Sequence, residues 1–160
     1  MLGKMLSLLL AACAVITVLG TPFNITVTDQ SPTIKYTPSR HGDPEQTWNV
    51  TYYDLGLPGA IRGGLSVHST YFIGATATFG FKGTAVYVRG SAEEGAVSIT
   101  VGGEDISNTK GGDYLAWKSG MKDQWWDVVV KVKGSTGVNL WGVTCSINLG
   151  TDGSVKACRP

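Results

Sequence analysis

The sequence predicts an all-β domain, a two-sheet antiparallel β-sandwich of jelly-roll type. Three observations carry this. Apolar and polar residues alternate with a period of two through most of the chain after residue 20, the period of a half-buried strand. Apolar residues at helical spacing are missing over the same stretch. Short runs are separated by turn residues, with 22 glycines in the 160-residue chain, the pattern of sandwiches and jelly rolls.

The elements follow in order. Residues 24–30 (NITVTDQ) and 34–38 (IKYTP) read as short strands, and 39–47 as a polar loop. Residues 48–53 (WNVTYY) read as a strand, and 55–65, with four glycines and a proline, as a long loop. The central block is the clearest. Ala75, Ala77, Phe79 and Phe81 share one face, with Thr76, Thr78, Gly80 and Lys82 on the other. After Gly83, Val86 and Val88 alternate with Tyr87 and Arg89. Gly90 to Gly95 form a turn, and Val97, Ile99 and Val101 make the next strand. A Gly- and Asp-rich connection at 102–113 leads to YLAWKSG. From Trp125 to Lys133, Trp126 falls in phase with Val128, Val130 and Val132, and Trp125 with Asp127, Lys131 and Lys133. The tandem tryptophans therefore point to opposite faces. The last strand, about 138–149, places Trp141 in phase with Val143, Cys145, Ile147 and Leu149. Trp126 and Trp141 are accordingly expected in the core.

The N-terminus reads as a secretory signal. Lys4 supplies a short positive region, and Leu6 to Leu19 run almost without polarity. That is the length of a signal core, short of the about 20 apolar residues a spanning helix needs. Val18 and Gly20 are small enough for the −3 and −1 positions, so cleavage is expected after Gly20. Residues 1–20 are then the signal peptide and 21–160 a single domain. No second apolar stretch follows, so the expected product is freely secreted and extracellular, cell-wall association included, without membrane insertion. Lys plus Arg number 13 and Asp plus Glu 12, and losing Lys4 brings them level. A neutral chain gives no electrostatic reason to expect nucleic acid as a partner.

Cys13 leaves with the signal, and Cys145 and Cys158 remain, a pair in an oxidising compartment. Their disulfide would clasp the C-terminus to the last strand and contribute roughly 3 kcal/mol by the chain-entropy argument. Sequons at Asn24-Ile25-Thr26 and Asn49-Val50-Thr51 are candidate N-glycosylation sites, so a glycoprotein is expected.

Several blocks carry a resemblance. They are the opening FNITVTDQSPTIKYTPS, the block GATATFGFKGTAVYVRGS, the strand VSITVGGE and the segment WKSGMKDQWWDVVVKV. Phe79, Phe81, Gly83, Thr84, Val86, Val88 and Gly90, then Gly102 and Gly103, then Lys118, Ser119 and Gly120 carry the match. The order resembles fungal secreted and membrane-anchored proteins with a galactose-binding-domain-like β-sandwich, an uncharacterised family. The resemblance spans most of residues 23–145 and implies the fold. It assigns no ligand. Many relatives continue into a Ser/Thr-rich stalk and an anchor, which this chain lacks, so it looks like a soluble version.

No catalytic constellation is legible. His41 and His68 have no motif neighbours, and neither a Gly-x-Ser-x-Gly elbow nor a His-x-x-x-His pair occurs. Asp43, Glu45, Asp54, Asp105, Asp113 and Asp127 could supply a hydrolase carboxylate pair, but chain spacing shows none converging. The expectation is therefore a protein that is not an enzyme. It is read as a carbohydrate-binding module that takes a polysaccharide, a glycoprotein glycan or the cell wall by aromatic stacking. Trp125 is the leading candidate, with Trp48, Trp117, Tyr52, Tyr53 and Asp127 beside it. The alternative is a secreted protein–protein interaction factor, effector-like or a receptor partner, whose partner is an extracellular protein. No cofactor is expected. A structural calcium on Glu104, Asp105, Asn108 and Asp113 is weighed against the ordinary turn chemistry of those residues.

Overall fold

The computed structural model describes residues 22–52, 66–107 and 113–148, and the backbone of 158–159. In chain order the strands are β1 (Pro22–Thr28), β2 (Lys35–Thr37), β3 (Asn49–Tyr52), β4 (Ser66–Thr70), β5 (Thr76–Gly83) and β6 (Ala85–Ala92). Then come β7 (Val97–Val101), β8 (Glu104–Asp105), β9 (Tyr114–Lys118), β10 (Gln124–Val132), β11 (Val138–Asn148) and β12 (Cys158–Arg159). Among the described residues no helix occurs, and so none long and apolar enough to cross a membrane.

Two antiparallel sheets face each other. The first runs β3-β4-β11-β6-β9, with β1 also on β11. The second runs β12-β5-β10-β7-β8, with β2 also on β5. Every pairing in both is antiparallel. The all-β sandwich expected from the alternation is the fold observed.

The alternating positions build the core. Phe79, Phe81, Val128, Val130 and Ile99 from the second sheet meet Val86, Val88, Val143, Cys145 and Ile147 from the first in one cluster. Burying a valine, isoleucine or phenylalanine contributes about 1.5–3 kcal/mol each. The two-residue turn between β7 and β8 needs left-handed backbone at both positions, and Gly102 and Gly103 supply it with φ of 58° and 85°.

One strand has no counterpart in the sequence reading, and one expectation needs correction. Residues 66–70 (SVHST), assigned to no element above, form β4, paired to β3 and β11. Polar residues occupy its inward positions, with His68 and Thr70 wholly buried, so the apolar signal is absent. Trp141 was expected in the core. It is instead the extra residue of a β-bulge, because Leu140 pairs with Gly90 and Gly142 with Arg89. The bulge shifts the phase, so Leu140 and Val143 are both buried while Trp141 between them is half-buried. The expected loop at 55–65 lies outside the described residues.

Candidate functional site

A row of aromatic side chains lies on the outer face of the first sheet. On β6, Val86 and Val88 turn inward with no exposed surface, which leaves Tyr87 and Arg89 outward. On β9, Ala116 is buried and Trp117 is 41% exposed. Trp117 sits directly across from Tyr87. Their rings stack with centroids 6.4 Å apart and planes 17° from parallel.

Tyr114 joins them through a local irregularity. It lies three residues before Trp117, so in a regular strand the two would face opposite ways. The pairing skips Leu115, because Val88 faces Ala116 and Arg89 faces Tyr114. That bulge tucks Leu115 inward and leaves Tyr114 outward, 40% exposed. The Tyr114 ring lies 5.8 Å from that of Tyr87.

The register extends the row with hydroxyls. Tyr87 is across from Thr144 on β11, and Thr144 from Thr26 on β1. Thr26 and Thr144 hydrogen-bond through their side chains at 3.1 Å. Trp117, Tyr87, Thr144 and Thr26 thus line up across four strands, each about 4.8 Å from the next. Beyond Tyr114 the row opens into a cleft of about 270 Å³. Tyr114, Leu115, Ser91, Glu93, Glu94 and Ser107 are among its walls. The surface therefore offers ring faces first, then hydroxyls and carboxylates.

The predicted site residues do not converge. Trp48 is corrected outright. It has no exposed surface, its Nε1 donates to the Thr76 carbonyl at 3.1 Å, and it packs edge-on against Tyr36. A ring held so presents no face to a ligand. Trp125 is 38% exposed but stands on the outer face of the second sheet, across from Lys82, with Asp127 exposed on the same face. Trp117 and Trp125 thus lie on the outer faces of different sheets. Tyr52 is 58% exposed at the end of β3, and Tyr53 lies outside the described residues. Trp126 turns inward as expected, half-buried against the core, with Nε1 donating to the Lys122 carbonyl.

Two of the loop carboxylates, Glu104 and Asp105, are directed to protein donors. Glu104 pairs with Lys118. Asp105 accepts from the Ser107 hydroxyl and backbone N–H, which hold its carboxyl below the usual range. Asn108 lies outside the described residues. Among the described residues no group of three or more His, Cys, Asp or Glu side chains is placed to hold a metal ion. Asn24 is exposed on β1 and accepts from Ser146, whereas Asn49 on β3 is half-buried.

A second cluster is buried. His68 on β4 and Asp29 just after β1 are both buried, with Nδ1 and Oδ2 2.8 Å apart. The Ser66 hydroxyl donates to the other carboxylate oxygen. Tyr36 stacks on His68 with centroids 4.3 Å apart and donates its hydroxyl to the Asp29 carbonyl. Burial, and then the Asp29 charge, pushes the Tyr36 phenol well above its ordinary pKa, while Arg40 pulls it the other way. The histidine that seemed isolated along the chain thus has a carboxylate partner 39 residues away.

No family model matches the chain, and no curated protein matches it. Its fold is similar to parts of solved structures. One is a family two carbohydrate esterase from Cellvibrio japonicus, at TM-score 0.49 and 11% identity over 80% of this chain and 35% of that one. Another is a two-domain esterase active on acetylated mannans, co-crystallised with mannopentaose, at TM-score 0.48 and 14% identity over 85% of this chain and 39% of that one. A further structure of a two-domain esterase active on acetylated mannans matches at TM-score 0.48. The chain spans well under half the length of each. All three are esterases, against the expectation that this chain is not an enzyme. That expectation is withdrawn, and likeness at this level assigns no activity in its place.

Proposed function

We propose that this chain is a secreted carbohydrate-binding protein that takes a polysaccharide along the Tyr114–Tyr87–Trp117 row. The observation that carries the reading is that three rings, two of them stacked, gather on one outer face. Pyranose rings have apolar C–H faces, and rigid aromatics supply area for them at low entropy cost. Thr144, Thr26 and Arg89 on the same face, and Glu93 and Glu94 in the cleft, would hydrogen-bond the hydroxyls. Export through the signal at residues 1–20 would bring the domain to extracellular glycans.

A co-sedimentation assay tests this with insoluble plant and fungal polysaccharides. The wild-type chain is retained and Trp117→Ala is lost to the supernatant at equal fold stability. Failure of the wild-type chain to sediment with any of them would end the reading.

A protein partner is the second reading, and one feature favours it. Tyr71, Phe72 and Ile73 follow β4 as three consecutive exposed apolar residues. Side chains of this kind form contact anchors at protein interfaces.

A further inference from the structure

His68 is buried completely, and its Nε2 has no hydrogen-bond partner. A buried polar nitrogen left so costs about 1–3 kcal/mol. Its other nitrogen is committed, because Nδ1 faces the Asp29 carboxylate at 2.8 Å. With Nδ1–H donating there, the neutral ring carries its lone pair on Nε2. This is how metal-bound imidazoles are commonly oriented, with a carboxylate behind the ring fixing the tautomer and raising basicity.

A second imidazole lies beside it. His41 is exposed in the loop before β3, and its ring centroid is 5.7 Å from that of His68, with planes 36° apart. Two imidazoles sharing one tetrahedral ion, each with a metal–nitrogen bond of about 2.0–2.1 Å, put their centroids on the order of 5–6 Å apart. The observed centroid separation lies in that range. The positive charge of Arg40 is engaged within the cluster, since its guanidinium donates to the carbonyls of Asp29 and Ser31 and lies over the Tyr36 ring.

We propose that His41 and His68 bind one divalent transition-metal ion of the zinc or copper class, with Asp29 as the positioning residue behind His68. The two imidazoles are the protein ligands, and water completes the shell on the exposed His41 side. Such a site prefers copper over zinc by the usual order of nitrogen affinities. It is independent of the aromatic row, on which it makes no demand.

The test uses the untagged secreted chain, titrated with Cu²⁺ and separately with Zn²⁺. Tyr36 stacks on His68, and Trp48 packs edge-on against Tyr36, so Cu²⁺ is expected to quench tryptophan fluorescence with a stoichiometry of one per chain. His41→Ala changes an exposed loop residue. It should keep the wild-type melting temperature without metal and lose at least tenfold in affinity. Asp29→Asn should weaken binding about 10–100-fold. Should Asp29→Asn unfold, His41→Ala still decides the matter. Equal titrations for wild type and His41→Ala would overturn the proposal, and so would no saturable binding by wild type.

Discussion

Tyr87 and Trp117 face each other across β6 and β9, with ring planes 17° from parallel and centroids 6.4 Å apart. Tyr87 is thus flanked by Trp117 across the strand pair and by Tyr114 along β9. Rings that share a face in this way form a surface wider than any single side chain. The surface is rigid, because each ring stands on a strand whose inward neighbours are buried.

The buried Asp29–His68 pair ties the end of β1 to β4. Asp29→Asn removes the charge that both Ser66 and His68 address. Losing a hydrogen bond to a buried charged group costs about 1.5–3 kcal/mol. Urea unfolding should show a loss of that size, with His68→Ala losing a similar amount. The double variant should lose much less than the sum, as coupled partners do. Additive losses would mean that the two residues do not act as a pair.

Tyr36 gives an alkaline signature. Its phenol is held neutral in the fold well above the ordinary value. The unfolded state therefore releases its proton first, near pH 10, and binds fewer protons than the native state above that point. Stability should then fall as pH rises through about 10. In Tyr36→Phe this slope should flatten. An unchanged slope in the variant would place the alkaline loss elsewhere.

Gly142 closes the bulge in β11. Its φ is 144°, and a Cβ there would lie 2.4 Å from the Val27 carbonyl oxygen. Gly95, with φ of 77°, has open space around it. Gly142→Ala should cost more than Gly95→Ala, which pays only the left-handed penalty of about 1–2 kcal/mol. Equal chemical-denaturation midpoints for the two would show that the β1–β11 contact yields easily.

Cys145 is fully buried on β11, and β12 carries Cys158 alongside Phe81 of β5. A disulfide between them is predicted to bridge the two sheets. A non-reducing digest of the secreted chain should contain a linked Cys145–Cys158 peptide that separates on reduction. Two unlinked thiols would contradict the clasp.

The fold was legible wherever alternation met burial on one side. Phe79, Phe81, Val128 and Val130 show this, as does the opposed pair Trp125 and Trp126. It failed where a side chain broke the rule of two. Trp141 left the core through a one-residue bulge, and β4 hid behind inward polar residues whose partner, Asp29, is distant in sequence. The site suffered from the same cause. Tyr87 was readable as a strand residue and Trp117 as a candidate ring, but Tyr114 reaches their face only because Leu115 is skipped, and no composition rule announces a skipped residue. Trp48 looked available because it stands at the start of a strand directly after a polar loop. Its neighbours Tyr36 and Thr76 come from other strands.

The most direct measurement is a set of binding isotherms on the retained polysaccharide for wild type, Tyr87→Ala, Trp117→Ala and Trp125→Ala. Trp125 serves as the comparison, because it is an equally exposed tryptophan on the other sheet. Losing one stacking ring removes about 0.5–1.5 kcal/mol or more, so Tyr87→Ala and Trp117→Ala should bind about twofold to tenfold more weakly, or weaker still. Trp125→Ala should bind like wild type. Loss of binding in Trp125→Ala with full binding in the other two would contradict the account and move the site to the opposite face.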